Sequence, residues 1–355
     1  QLHPDIAAIH HDLYRACSNG RWGVMEQQPG PVNWARFNPA PLPGIVALWT
    51  LEAYAHGAEF TAYFRWRQAP CAQAEMHAGL LRPDSSDAEA ADEARMAADA
   101  IAQLGEQKIA KAPVALVFSY EAAWVCGIQP QGQSFRYLEL TYQWYSALRR
   151  AGLDVDIVST DSDLAGYSAV FVPTLPIARA GFTSKLAALD CPVLIGPRSG
   201  SKDESFCIPE GLAPGALSEV LPITVTRVES LRDGVVEHGD GWTISRWRED
   251  VSSAFEPELA LLDGRGIVYS RANHRYIAAW PDGELLDLLI GRMAEEAGLE
   301  LMTLPHGLRI RRSAAHIFAF NYTAKPIDAA ALGLGTPVWG DGSIGPAGVA
   351  IWPKP

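Results

Sequence analysis

The stretch RWGVMEQQPGPVNW, residues 21–34, contains a single carboxylate, Glu26. It stands where an apolar run gives way to Pro, Gly, Asn and Trp, none of which buries a charge or pairs with it. A glutamate in that position is either a solvated strand-end side chain or a group held in a pocket to react, as a nucleophile or in proton transfer. Other chemistry-bearing side chains are dispersed. Cys17, Cys71, Cys126, Cys191 and Cys207 form no C-x-x-C pair. Neither a zinc knuckle nor a redox dithiol is readable, and buried free thiols are expected.

The elements around Glu26 follow from periodicity. Ile6, Ile9, Leu13 and Ala16 recur at helical spacing and Gly20 offers a stop, which predicts a helix over 5–17. RWGVME reads as a buried strand, and the Pro- and Gly-rich QQPGPVNWARFNPAPLPG as a long loop. IVALWTLEAYAHGA is helical, EFTAYFRWRQ a strand, APCAQAEMHAGLLRPDSS a loop and DAEAADEARMAADAIAQLGE an amphipathic helix. Alternating elements of this kind build a parallel sheet. Long loops after the strands are where (β/α)8 barrels place their chemistry, although a full barrel takes about 250 residues and this stretch supplies two βα units.

A second pattern opens at KAPVALVFSYE and runs through FRYLELTYQWYSALRRAG, DVDIVST, YSAVFVPTL, TSKLAAL and PVLIGPRSG. It predicts an open, doubly wound α/β domain. After an irregular stretch, GIVYS, YIAAW and the helix GELLDLLIGRMAEEAGL complete it. From LMTLPHGLRIRRS onward, HIFAFNYT and GPAGVAIW alternate with turn residues, as in a small all-β module.

The 355 residues carry a net charge of −12, which argues against nucleic acid and anionic membrane surfaces as partners. A neutral small ligand fits better. No run of about 18 apolar residues marks a membrane span, and His3, Asp5, His10, His11 and Asp12 break any signal-peptide pattern near residue 1. A cytoplasmic setting is expected.

Taken together, VMEQQPGPVNWARFNPAPLPG, WTLEAYAHGAEFTAYFRWRQAP and MHAGLL closely resemble the family 42 glycoside hydrolases, which are bacterial β-galactosidases. The resemblance extends over essentially the whole chain. It implies an α/β protein in three parts. Residues 1–105 would be the last quarter of a (β/α)8 TIM barrel. Residues 106–303 would be a doubly wound α/β domain, similar to the class I glutamine amidotransferases, that builds a homotrimer. Residues 304–355 would be a small C-terminal β domain.

The resemblance makes Glu26 the nucleophile of a retaining glycosidase. Such an enzyme needs two carboxyls about 5–5.5 Å apart, one ionised to attack and one protonated to release the leaving oxygen. The acid/base glutamate is expected on an earlier barrel strand, outside this sequence. Trp34 corresponds to a tryptophan that packs on the sugar, and His77 to a histidine that bonds its hydroxyls. Phe64 would line the same pocket. The family's glutamate three residues before this histidine is Ala74 here, with Glu75 as the nearby carboxylate, which bears on sugar specificity. Trp66 is expected in the barrel wall, with Arg65 or Arg67 paired to Glu26 or Glu52. The family's zinc cysteines have no counterpart among the five here, so neither metal nor cofactor is expected.

An amidotransferase reading would need a nucleophilic Cys on a tight strand-end turn. Cys191 precedes the strand PVLIG, Cys207 lies well past it, and His238 has no fitting surroundings. A structural α/β domain is expected. The leading function is hydrolysis of a β-galactoside or related saccharide, and the alternative is a truncated, non-catalytic assembly or sugar-binding fragment.

Overall fold

Helix α1 (Pro4–Cys17) carries a proline in its first turn, where a missing N–H breaks no intrahelical bond. It begins the computed structural model, which describes residues 3–354. Strand β1 (Trp22–Gln27), helix α2 (Ile45–Ala55) and strand β2 (Ala58–Tyr63) follow as a βαβ unit. β1 and β2 run parallel, with Trp22 opposite Ala58 and Gln27 opposite Tyr63. The long helix α3 (Glu89–Leu104) comes next.

Nearly every residue of α2 is buried, as befits a helix that is apolar all round. Its N-terminus has no side-chain cap of its own. Glu93 of α3 supplies one, accepting from the backbone N–H groups of Gly44 (2.7 Å), Val46 (2.8 Å) and Ala47 (3.2 Å). That satisfies orphan donors and sets a negative charge against the positive end of the helix dipole. Gly44 leads into the helix at φ +94°, where a Cβ would come 2.9 Å from the Ala347 carbonyl oxygen. A side chain there is strained twice over.

The middle of the chain, Ala112–Met302, forms a unit of its own. Strands β3 (Val114–Val117), β4 (Val155–Val158), β5 (Ala169–Val172) and β6 (Val193–Ile195) alternate with helices α4 (Tyr120–Ile128), α5 (Tyr137–Arg150) and α6 (Ala180–Ala187). Strands β7 (Ile223–Ser230), β8 (Val236–His238) and β9 (Thr243–Ser253) then precede β10 (Leu259–Ala260), β11 (Gly266–Arg271), β12 (His274–Ile277), β13 (Ala279–Pro281) and helix α7 (Gly283–Ala297). The main sheet has the order β10-β11-β12-β6-β5-β3-β4, parallel from β12 to β4. Its strands are buried apolar runs, as covered parallel sheets require.

The stretch expected to be irregular is instead a second, antiparallel sheet, β13-β9-β7 with β8 on β9. Its alternation is masked because charged residues occupy buried positions. Arg248 is buried, bonded to Glu229 and within 3.1 Å of Asp250. Helix α4 was not foreseen either. Ser119 caps it, accepting from Ala122 N–H at 3.1 Å.

The last part of the chain holds strands β14 (Leu308–Arg312) and β15 (His316–Asn321), the antiparallel pair β16 (Ile327–Asp328) and β17 (Ser343–Ile344), and β18 (Val349–Pro353). These strands belong to one compact unit with the chain up to Lys111. Phe318, Phe320 and Ile351 share a core with Ile45, Leu48, Leu51 and Tyr54 of α2. Buried ion pairs cross the same unit. Arg309 of β14 grips Asp5 of α1 through two bonds of 2.8 Å. Asp12 of α1 accepts from His56 Nδ1 and Arg15 at 2.9 Å each, with Arg311 of β14 at 3.4 Å. Burial opposes ionisation of Asp12, but His56 and Arg311 outweigh it and hold the carboxyl well below its usual range.

The expectation of buried thiols is corrected. All five cysteines are free, yet only Cys126 is buried, Cys191 is half-buried and Cys17, Cys71 and Cys207 are exposed.

His11 packs edge-on against Trp22 at 4.9 Å. Burial first, then His56, push its pKa well below the ordinary 6.5. The unfolded chain therefore takes up this proton more readily, so the contribution is fully present above about pH 6.5 and is lost as pH falls below it. Urea titrations should show stability declining from pH 7 to pH 5, and His11→Phe should flatten that decline. An unchanged slope in the variant would assign the decline to other groups.

Candidate active site at the strand ends

β1 and β2, being parallel, deliver their C-terminal ends to one side. Glu26 is the penultimate residue of β1 and is exposed. Phe64 directly follows β2 and its N–H donates to the Gln27 carbonyl at 3.0 Å, which fixes the two strand ends together. His77 comes from the loop after β2 and is buried. Its ring meets Phe64 edge-on at 4.8 Å.

Gln28 joins the two polar groups. Its Nε2 donates to Glu26 Oε1 at 2.7 Å, and its Oε1 lies 2.5 Å from His77 Nε2. Glu26, Gln28, Phe64 and His77 thus form one cluster containing one carboxylate. Residue reasoning missed Gln28. The available signal was spacing, since residues i and i+2 of an extended chain share a face.

The loops behind the cluster are knitted by backbone. Ala78 N–H donates to the Pro31 carbonyl at 3.0 Å, and Asn33 Nδ2 to the Gln73 carbonyl at 2.5 Å. Leu80 N–H reaches the Arg65 carbonyl at 2.9 Å and Leu81 N–H the Trp66 carbonyl at 2.8 Å. Two further expected site residues are exposed on the flanking loops. Trp34 is 72% exposed. Glu75 is also exposed and takes part through its carbonyl, which accepts from Gln68 at 2.6 Å.

The strand β2 stops at Tyr63, so the alternation read through FRWR does not hold. Trp66 is 71% exposed. Arg65 lies 5.0 Å over the Phe64 ring and Arg67 bonds Ser85 at 3.0 Å, instead of pairing with Glu26 or Glu52.

The second place where a fold of this kind could hold chemistry is the turn after β6, Gly196 to Gly200. Its apex is Arg198, at φ +61°. The guanidinium donates to the carbonyls of Gln129 (2.8 Å) and Pro130 (2.9 Å) and lies over the rings of Phe135 and Trp247 at 4.7 and 5.3 Å. Glu249, whose pKa burial pushes up, accepts from Arg198 N–H, Trp247 Nε1 and Tyr276 OH at 2.8, 3.1 and 2.6 Å. The apex thus carries an arginine, and Cys207 is exposed farther along.

Comparison with known proteins bears on both units. A β-galactosidase family model matches residues 1–104, and the model described as a β-galactosidase trimerisation domain matches 112–300. A β-galactosidase of Thermus thermophilus is 50% identical over 354 residues, covering 99% of this chain and 55% of that protein. The β-galactosidase BgaH of Haloferax lucentense is 34% identical over 346 residues, 91% of this chain and 51% of that protein. Among solved structures, the β-galactosidase of the psychrophilic Marinomonas ef1 superposes with a TM-score of 0.93 at 40% identity, covering 99% of this chain and 56% of that one. The chain therefore spans about half the length of these relatives.

The bracing of the loops is open to a direct check. A Cβ on Gly79 would stand 2.5 Å from the Gln68 backbone nitrogen, so Gly79→Ala must displace the segment next to His77. Overpacking of this kind costs about 1–3 kcal/mol. The variant should melt at lower temperature and be cut faster by protease within residues 65–82; an unchanged melting temperature would mean that the loop yields freely.

Proposed function

The chain belongs to the glycoside hydrolase family 42 β-galactosidases, and from that membership we propose that it works as part of a retaining β-galactosidase, with Glu26 as nucleophile. The observation that carries this reading is the strand-end cluster. Glu26 stands exposed at the end of β1, with Gln28, His77 and Phe64 gathered about it.

In this reading residues up to 105 are the closing portion of a (β/α)8 barrel, supported by the parallel βαβ unit. The acid/base carboxyl then comes from barrel strands outside this sequence. One Glu26 oxygen attacks the anomeric carbon as the acid protonates the departing oxygen, leaving a galactosyl ester on Glu26. The conjugate base next deprotonates water, which attacks the same carbon and frees Glu26, so configuration is retained. His77 and Phe64 line the sugar site, and Trp34 and Glu75 join it from the flanking loops. Apolar C–H faces of a galactoside suit the aromatic rings, and its hydroxyls suit the polar groups. With Ala74 where relatives are expected to carry Glu, arabinosides are the next substrates to try.

The middle unit is proposed as an amidotransferase-like scaffold that assembles three copies. The strand order β4-β3-β5-β6-β12 supports the doubly wound scaffold, and Arg198 at the strand-end turn supports a structural role. A surface for a second copy is available on α4. Tyr120, Trp124 and Ile128, at i, i+4 and i+8, share one face and are 52%, 65% and 68% exposed, with Leu138 of α5 at 61%. Aromatic residues of this kind are enriched in interface cores. The Arg179–Glu121 ion pair, at 2.8 Å, gives the patch a charged flank. Free thiols in all five cysteines suit a reducing, cytoplasmic compartment.

Two measurements test the reading. In the longer protein that carries this sequence, Glu26→Ala should lower turnover of nitrophenyl β-galactoside at least about 1000-fold. Azide should restore it, giving the inverted galactosyl azide; undiminished hydrolysis refutes the nucleophile. Light scattering should report a trimer for the wild type. Trp124→Glu should dissociate it, whereas Leu262→Glu, at a residue 76% exposed, should not. A trimer that survives Trp124→Glu removes α4 from the interface.

A further inference from the structure

We propose that Gln28 is a positioning residue that holds the nucleophile and the sugar-binding histidine in fixed orientations through one side-chain amide. The inference rests on the reading of Glu26 as nucleophile and adds a residue to that site.

The orientation of the amide follows from chemistry. An ionised carboxylate only accepts hydrogen bonds, so the group 2.7 Å from Glu26 Oε1 must be the amide nitrogen. The amide oxygen then faces His77 Nε2 at 2.5 Å. That oxygen only accepts, so His77 must carry a proton on Nε2. In the neutral imidazole the remaining nitrogen, Nδ1, is left as an acceptor, suited to a donor hydroxyl of the saccharide. The ring has little freedom to turn, being buried and set edge-on against Phe64.

At the other end the bond engages one oxygen of Glu26 and leaves the second to attack. When the ester is hydrolysed, the carboxylate charge re-forms beside an N–H already in place. Donors preorganised toward developing charge lower the barrier without reorganising in the reaction. Gln28 touches no reacting atom in this account. It acts through Glu26 and His77, whose relative placement would otherwise depend on how the loop after β2 lies against the end of β1.

Two substitutions separate the two ends. Gln28→Glu keeps an oxygen for His77 but removes the donor to Glu26 and sets a negative charge beside it. Gln28→Met removes both bonds at similar size. With nitrophenyl β-galactoside and the longer protein, kcat of Gln28→Glu should fall about 10- to 100-fold, with KM unchanged or lower. Gln28→Met should lower kcat similarly and also raise KM. Combining it with His77→Ala should raise KM no further than His77→Ala alone, because both remove the same orientation.

Wild-type kcat in Gln28→Glu, alongside an inactive and azide-rescued Glu26→Ala, overturns the inference and leaves the nucleophile standing. An active Glu26→Ala removes the reading beneath it. Equal effects of both substitutions on kcat and KM, or a collapse of the melting temperature in both, would make Gln28 a structural bridge and overturn the proposal as well.

Discussion

Two buried carboxylates on the first helix, Asp5 and Asp12, set the frame on which the candidate site stands. Each is met by an arginine of β14, some 300 residues later in the chain. Burying a carboxylate is unfavourable unless charge and hydrogen bonds replace its water, and removing one partner of such a pair costs about 3–5 kcal/mol. The pairs therefore act as a geometric specification: α1 and β14 fit in the one arrangement that satisfies both. From there the constraint passes along the chain. α1 leads through Gly20 into β1, whose Trp22 packs on His11 and donates to the His56 carbonyl at 3.3 Å. His56 is itself bonded to Asp12. The start of the strand that carries Glu26 near its end is thus fixed by the same charges.

The helix between the strands is held by a related device. α2 is buried almost all round and cannot use water at its N-terminus, so the Glu93 carboxylate of α3 serves there. This places α3 against α2 more specifically than apolar packing alone, which tolerates rotation about the helix axis. In both cases a charge taken from water, and compensated at defined atoms, selects one arrangement among several of similar apolar burial.

Much of the layout was legible in the residues. Periodicity located α1, β1, α2, β2 and α3, and the β module at the end of the chain, because each buries a clean face. It failed where burial and polarity are decoupled. Arg248 and Glu249 are buried within β9, so the strand does not alternate in apolar character. α4 bears its large apolar groups outward, the reverse of the pattern that marks a surface helix. The alternation of Phe64, Arg65, Trp66 and Arg67 imitates a continued strand, whereas β2 ends at Tyr63 and an isolated bridge from Arg67 to Leu81 follows. For the site, Glu26, Phe64 and His77 came from the family resemblance, and the cluster gathers them. Gln28 lay outside it because an amide becomes informative only once both of its partners are in place.

The turn after β6 shows how a sheet of this architecture can be turned from chemistry to support. The carboxyl ends of the strands in an open doubly wound sheet are where ligands are ordinarily held. Here arginines of the protein itself occupy part of that edge. Arg179 bridges Glu121 and Glu204 at 2.8 and 2.6 Å, and Arg198 takes the apex of the turn. The Arg198 guanidinium binds the carbonyls of Gln129 and Pro130, directly past the end of α4, where helix carbonyls lack intrahelical partners. Burial lowers its pKa from the ordinary arginine value, and the same burial is compensated by the two carbonyls and by the rings of Phe135 and Trp247. Glu121 at the head of α4 and Arg198 at its foot therefore fix the helix at both ends. A helix anchored in this way can present Tyr120, Trp124 and Ile128 outward without rolling them under. An exposed aromatic face on an anchored helix suits an assembly surface, since the backbone that carries it has little freedom left to lose on association.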